Sequence, residues 1–108
     1  MNIDGFLLIE LEKISKEKGI NLTLTHKKFF IKMLKYAMEN GDDVGDAYVI
    51  DKAVRQLSEI LDTSLRMVIQ SLHVLSECGV IERVKGKNTF PRSATKTVIS
   101  KSILKGWN

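Results

Sequence analysis

The sequence predicts a mainly α chain with a small β-hairpin in its last third. Three observations predict it. Apolar residues recur at helical spacing through residues 3–18, 26–40 and 53–75. Gly, Asp and Ser punctuate those runs. The apolar-rich stretch VIERV (80–84) leads into the turn formers Lys85, Gly86, Lys87 and Asn88. A length of 108 residues falls in the usual single-domain range, so residues 1–108 are expected to form one domain.

The first helix is expected to begin at Ile3 or Asp4 and to reach Lys18, with Gly19 supplying the left-handed residue that ends many helices. Ile3, Phe6, Leu7, Leu8, Ile9, Leu11 and Ile14 exceed the single stripe of a surface helix, so this helix is expected to serve the core or a partner chain. A second helix is expected after Thr25 and as far as Asn40, burying Phe29, Phe30, Met33, Leu34, Ala37 and Met38, with Gly41 as its end. Residues 42–46 look like a surface loop. Its aspartates do not make an EF-hand, because the twelfth position counted from Asp42 is Ala53 rather than a bidentate Glu. Residues 47–50 suit a brief strand, and Asp51 is a good N-cap for a third helix with Ala53, Val54, Leu57, Ile60 and Leu61 facing inward.

From Leu57 the chain runs LSEILDTSLRMVIQSLHVLSECGVIER (57–83). Leu57, Ile60 and Leu61 put one helix face on the core, and Asp62, Thr63 and Ser64 form a turn short enough to send the next helix across at a steep angle. Ser64 caps that helix, Val68, Leu72 and Leu75 recur at i, i+4 and i+7 as its buried face, and Gly79 ends it before the strand 80–84. Lys85, Gly86, Lys87 and Asn88 would then turn into Thr89 and Phe90, giving a hairpin with a basic tip. This ungapped pattern, about a quarter of the chain, resembles the winged helix-turn-helix family of DNA-binding proteins. The resemblance implies a helix-turn-helix over 51–78 and a wing over 80–90. It also implies double-stranded DNA as the partner, with the second motif helix in the major groove.

On that expectation Ser64, Leu65, Arg66, Met67 and Gln70 are the groove-facing candidates. Ser64 and the free N–H groups beside it suit a phosphate, Arg66 can read guanine, Gln70 adenine and Met67 a thymine methyl. Lys85, Lys87 and Asn88 on the wing, with Arg92 behind, would meet the backbone or minor groove. Lys52 and Arg55 would make further phosphate contacts. Charge agrees. Residues 1–82 hold ten Lys and Arg against thirteen Asp and Glu, whereas Arg83, Lys85, Lys87, Arg92, Lys96, Lys101 and Lys105 follow with no carboxylate. A block of one sign attracts a polyanion.

The chain departs from the family in two places. Asp62 stands where the turn commonly has Gly, and Leu65, Met67, Ile69 and Val74 make the recognition helix apolar where Arg, Lys, Ser and Thr are usual. Met67, Ser71 and Val74 form a second seam at i, i+4 and i+7. That seam suits either a wider internal core or a homodimer in which two recognition helices pair across a twofold axis. Such pairing is similar to that of the TubR-type adaptors of tubulin-like plasmid and phage partition systems. A repressor role, and a partition, conjugation or replication role with its own partner protein, therefore stay open. A winged-helix module that binds protein and not DNA is the alternative.

An enzyme is not expected, because His26, His73 and Cys78 fall on separate elements or faces and no phosphate loop or catalytic carboxylate pair stands out. Neither metal nor cofactor is expected; one Cys and two His give no ligand spacing. No apolar run approaches the roughly 20 residues of a membrane span, and Asp4 sits where a secretory signal would be basic. The expected location is the cytoplasm. Residues 92–108 are expected to form a basic helix packed on the first helix with Trp107 as anchor, although Thr97, Val98, Ile99 and Ser100 also suit a strand and the segment equally suits a partner-binding tail.

Overall fold

A computed structural model describes residues 2–84 and 96–107. The first helix, α1 (Ile3–Lys18), starts where Asn2 accepts the Gly5 N–H and stops at Gly19, whose φ of 67° is the left-handed conformation expected of it. Helix α2 (Leu24–Asn40) begins two residues earlier than expected. Thr23 Oγ1 accepts the His26 N–H and His26 Nδ1 accepts the Thr23 N–H, a reciprocal cap that accounts for this histidine. At its far end, a Cβ on Gly41 would lie 2.7 Å from the Ala37 carbonyl and 3.0 Å from that of Val49, so glycine allows the next strand to pass close by.

Strands β1 (Asp42–Asp43) and β2 (Ala47–Ile50) form an antiparallel hairpin, pairing Asp42 with Val49 and Asp43 with Tyr48. The acidic stretch expected as plain loop is therefore partly strand. Helix α3 (Val54–Ile60) starts three residues beyond the expected cap: Asp51 is exposed, Ala53 holds the N-cap position, and Gln56 Oε1 accepts the Ala53 N–H at 2.9 Å. The side chain reaching back from inside the helix pairs the N-cap N–H, the half of a capping box that needs no N-cap side chain. Leu57 and Leu61 are buried as expected. Ile60 is 40% exposed and Met38 43%, which corrects their assignment to the core.

Helix α4 (Leu65–Glu77) follows a turn in which Asp62 adopts φ 49°. The turn is held by Ser58 Oγ donating to the Thr63 carbonyl at 2.6 Å and by the Thr63 N–H donating to the Ser58 carbonyl at 3.0 Å. Ser64 caps α4 as expected, accepting the Met67 N–H, and Val68, Leu72 and Leu75 are buried. Strand β3 (Ile81–Val84) pairs along its whole length with β4 (Lys96–Ser100), Ile81 opposite Ile99 and Val84 opposite Lys96. The four-stranded antiparallel sheet has the order β1-β2-β4-β3.

The strand that pairs with β3 is 96–100, the expected partner Thr89 and Phe90 lying outside the described residues, and the C-terminal segment is a strand followed by a 3₁₀ turn (Lys101–Leu104) rather than a helix. The reason is non-local. Strands β2 and β3 would each leave a row of unpaired N–H and C=O groups, and β4 between them satisfies both while Thr97 and Ile99 point into the core. Trp107 does reach α1, with its ring centroid 5.4 Å from that of Phe6. The core lies between the four helices and one face of the sheet, centred on Phe30, Met33, Leu34, Leu57, Val68, Leu75 and Ile99.

Candidate nucleic-acid interface

The first turns of α4 present their polar side chains outward. Ser64, Arg66 and Gln70 are exposed, and Arg66 and Gln70, four residues apart, stand side by side along the helix. Leu65 is 39% exposed and Ile69 53%, so two apolar side chains share that outer surface. Met67 is turned elsewhere. It is half-buried in a cleft of about 200 Å³ with Thr63 and with Thr25, Lys28, Phe29 and Lys32 of α2.

Ser71 is fully buried, and its hydroxyl donates to Met67 Sδ at 3.4 Å. Helix α4 packs on α2, α3 and β3, which cover Ser71 fully, while Met67 and Val74, the other two seam residues, are half-buried.

Of the remaining expected contacts, Arg55 is exposed at the start of α3 and Lys52, just before it, is half-buried. Lys85, Lys87, Asn88 and Arg92 lie outside the described residues. The β3–β4 hairpin that would carry them is present at its base, where Lys96 is exposed opposite Val84.

Sequence reasoning overlooked Thr25, Lys28 and Lys32, which α2 brings alongside Thr63 and Met67. Lys28 and Lys32 are both exposed, so they add two cations at the edge of α4. Their i, i+4 spacing was legible; which neighbour that stripe faces was not. Arg83 was also overlooked. Half-buried on β3, it donates to Thr97 Oγ1 at 2.6 Å, and burial lowers the pKa of its guanidinium.

The other reactive side chains are spoken for. Exposed His73 pairs with Glu77 at 2.5 Å. Cys78 is buried, and that burial pushes its thiol up. Among the described residues, no group of three or more His, Cys, Asp or Glu is placed to hold a metal ion, and no helix is long and apolar enough to cross a membrane. No protein-family model matches the chain, and no curated protein sequence matches it.

Proposed function

We propose that this chain is a winged helix-turn-helix protein that binds double-stranded DNA, with the first two turns of α4 in the major groove. The observation that carries this is the outward pairing of Arg66 and Gln70 on a helix entered through the Asp62 turn and followed at once by the β3–β4 hairpin. An α-helix fits the major groove, and these two side chain types suit guanine and adenine edges. Lys28 and Lys32 on one side and the basic hairpin on the other would hold the flanking backbone, with Ser64, Lys52 and Arg55 as further phosphate contacts.

The protein then acts as a small sequence-specific regulator or adaptor of plasmid or phage type: a transcriptional repressor, a centromere-binding partition protein, or an accessory to conjugation or replication. It works as a homodimer whose seam lies away from Ser71. Ile9 and Leu24, both exposed and lining one groove with Leu8, are the side chains to vary in locating it.

Fluorescence anisotropy on duplex DNA across a salt series tests the assignment. Each neutralised phosphate contributes about −0.9 to the slope of log affinity against log salt, so several contacts give a steep fall. Duplex binding indifferent to salt, or none, would instead favour a winged-helix module that docks on protein, the use to which exposed Leu65 and Ile69 are best suited. Footprinting on DNA flanking the gene separates the roles, since a repressor protects one palindrome and a partition adaptor protects phased repeats.

A further inference from the structure

Beside the outer surface of α4 is a second cleft, of about 330 Å³, lined by Val54 of α3, by Ile69, Leu72, His73 and Ser76 of α4, and by Arg83 of β3. Two of its polar groups are left over from the fold. Arg83 makes no ion pair with any described carboxylate, and residues 85–95 contain no Asp or Glu. Its one hydrogen bond to a described side chain goes to the neutral hydroxyl of buried Thr97. A guanidinium carries five N–H donors in a planar fork. Ser76 Oγ is the other group: it is buried with no hydrogen-bond partner. A buried hydroxyl without a partner is rare and costly, so a χ1 rotation into the cleft gives up nothing.

We infer that this cleft binds a phosphate group, with Arg83 as its cation and Ser76 as a hydroxyl donor. The guanidinium fork matches two phosphate oxygens, and a half-desolvated cation gains more from an anion than a fully hydrated one does. Burial already disfavours the charged form of Arg83, and an anion in the cleft would offset that cost. His73 contributes less, because Glu77 holds it at the rim. Val54, Ile69 and Leu72 give the cleft apolar walls beside that contact.

The source favoured here is a backbone phosphate of bound duplex, an assignment that rests on the DNA-binding proposal above. Ile69 and His73 lie one turn along α4 from Arg66 and Gln70, so a helix reading bases through its first turns carries the cleft toward the flanking strand. A free phosphate-bearing molecule offers the same chemistry.

Two measurements decide. The free protein is titrated with inorganic phosphate while the backbone amide shifts of Ile69, Leu72 and Ser76 are followed, using wild type, Arg83→Gln and Ser76→Ala. Duplex affinity is measured across salt for the same proteins. With duplex phosphate in the cleft, Arg83→Gln lowers the magnitude of the salt slope by about 0.9. Ser76→Ala weakens binding several-fold and leaves the slope unchanged. An unchanged slope together with saturable phosphate shifts that Arg83→Gln abolishes supports the cleft and assigns it to a free phosphate. Unchanged slopes and no saturable shifts overturn the inference. If wild type binds no duplex at any salt, the DNA-binding proposal falls and the phosphate titration still settles the cleft. Ser76→Ala removes only an unpartnered hydroxyl, so should Arg83→Gln fail to fold it decides through affinity alone: several-fold weaker duplex or phosphate binding supports the cleft, and unchanged affinity for both overturns it.

Discussion

Helices α1 and α4 both carry more apolar positions than one stripe needs, and the fold covers one surplus seam of α4 while leaving Ile9 of α1, like Leu65 and Ile69 of α4, exposed. In α4 the second seam is absorbed: Ser71 is fully buried and Met67 half-buried beside α2, because this helix packs on three neighbours. In α1 the inner stripe of Leu7 and Leu11 meets α2, Phe6 is met by Trp107, and Ile9 stays 45% exposed. An extra apolar seam therefore measures how many elements crowd a helix, and implies a second chain only where the fold leaves it uncovered.

The largest test of this contrast is truncation on the crowded helix. Leu75→Ala should lower stability by about 2–5 kcal/mol in denaturant unfolding, whereas Ile9→Ala should stay within about 0.5 kcal/mol. Equal costs would erase the difference between the two helices. Ser71→Leu is the sharper version. Overpacking a filled site should cost about 1–3 kcal/mol in the isolated chain at any concentration. A tolerated Ser71→Leu would mean that the site is open, and would reinstate pairing through it.

On the exposed side of α4 the effects should move from stability to binding. Arg66→Ala and Gln70→Ala should leave the thermal midpoint nearly unchanged and each weaken specific duplex binding by about 1–3 kcal/mol, relaxing preference at one base pair. A fall in stability without a fall in affinity would place these side chains in the fold instead of the interface.

Asp62→Gly should act on both properties at once. It relieves a non-glycine residue at φ 49°, for a gain under about 1 kcal/mol, and removes a carboxylate from the turn that leads into α4, so duplex binding should tighten.

The smallest effect lies in surface ion pairs. The hydrogen bond from Lys27 holds Glu12 below its usual pKa, and that from Lys101 does the same for Asp43. For a carboxylate whose folded pKa is lowered, the stabilisation is complete above the unfolded value of about 4 and is lost as pH falls through the folded one. Stability should thus decline only below about pH 4, and Lys27→Met with Lys101→Met should flatten that decline. Both carboxylates face solvent, so the change should be small and screened by salt.

Local physics was legible without coordinates. Helix ends followed from Gly19, Ser64 and Gly79, and the buried stripe of α4 from the spacing of Val68, Leu72 and Leu75. Each depends on residues within a turn or two of one another. The start of α3 differs from the expectation because Asp51 has the ideal capping side chain, yet Gln56, reaching back to the Ala53 N–H, lets the helix begin at Val54 without one. Residues 96–100 suit a helix and a strand alike, because both periodicities fit so short a run.

By itself the sequence determined the two helices on either side of the Asp62 turn, the outward placement of Arg66 and Gln70, and the basic final quarter, since these depend on spacing and charge along one stretch of chain. Only the tertiary structure decided that β4 enters between β2 and β3, that Ser71 is closed off beside Met67, and that Arg83 is left half-buried beside an unpartnered Ser76. Those outcomes turn on which distant surfaces meet and which hydrogen-bonding groups still lack partners when they do, and no local pattern encodes that.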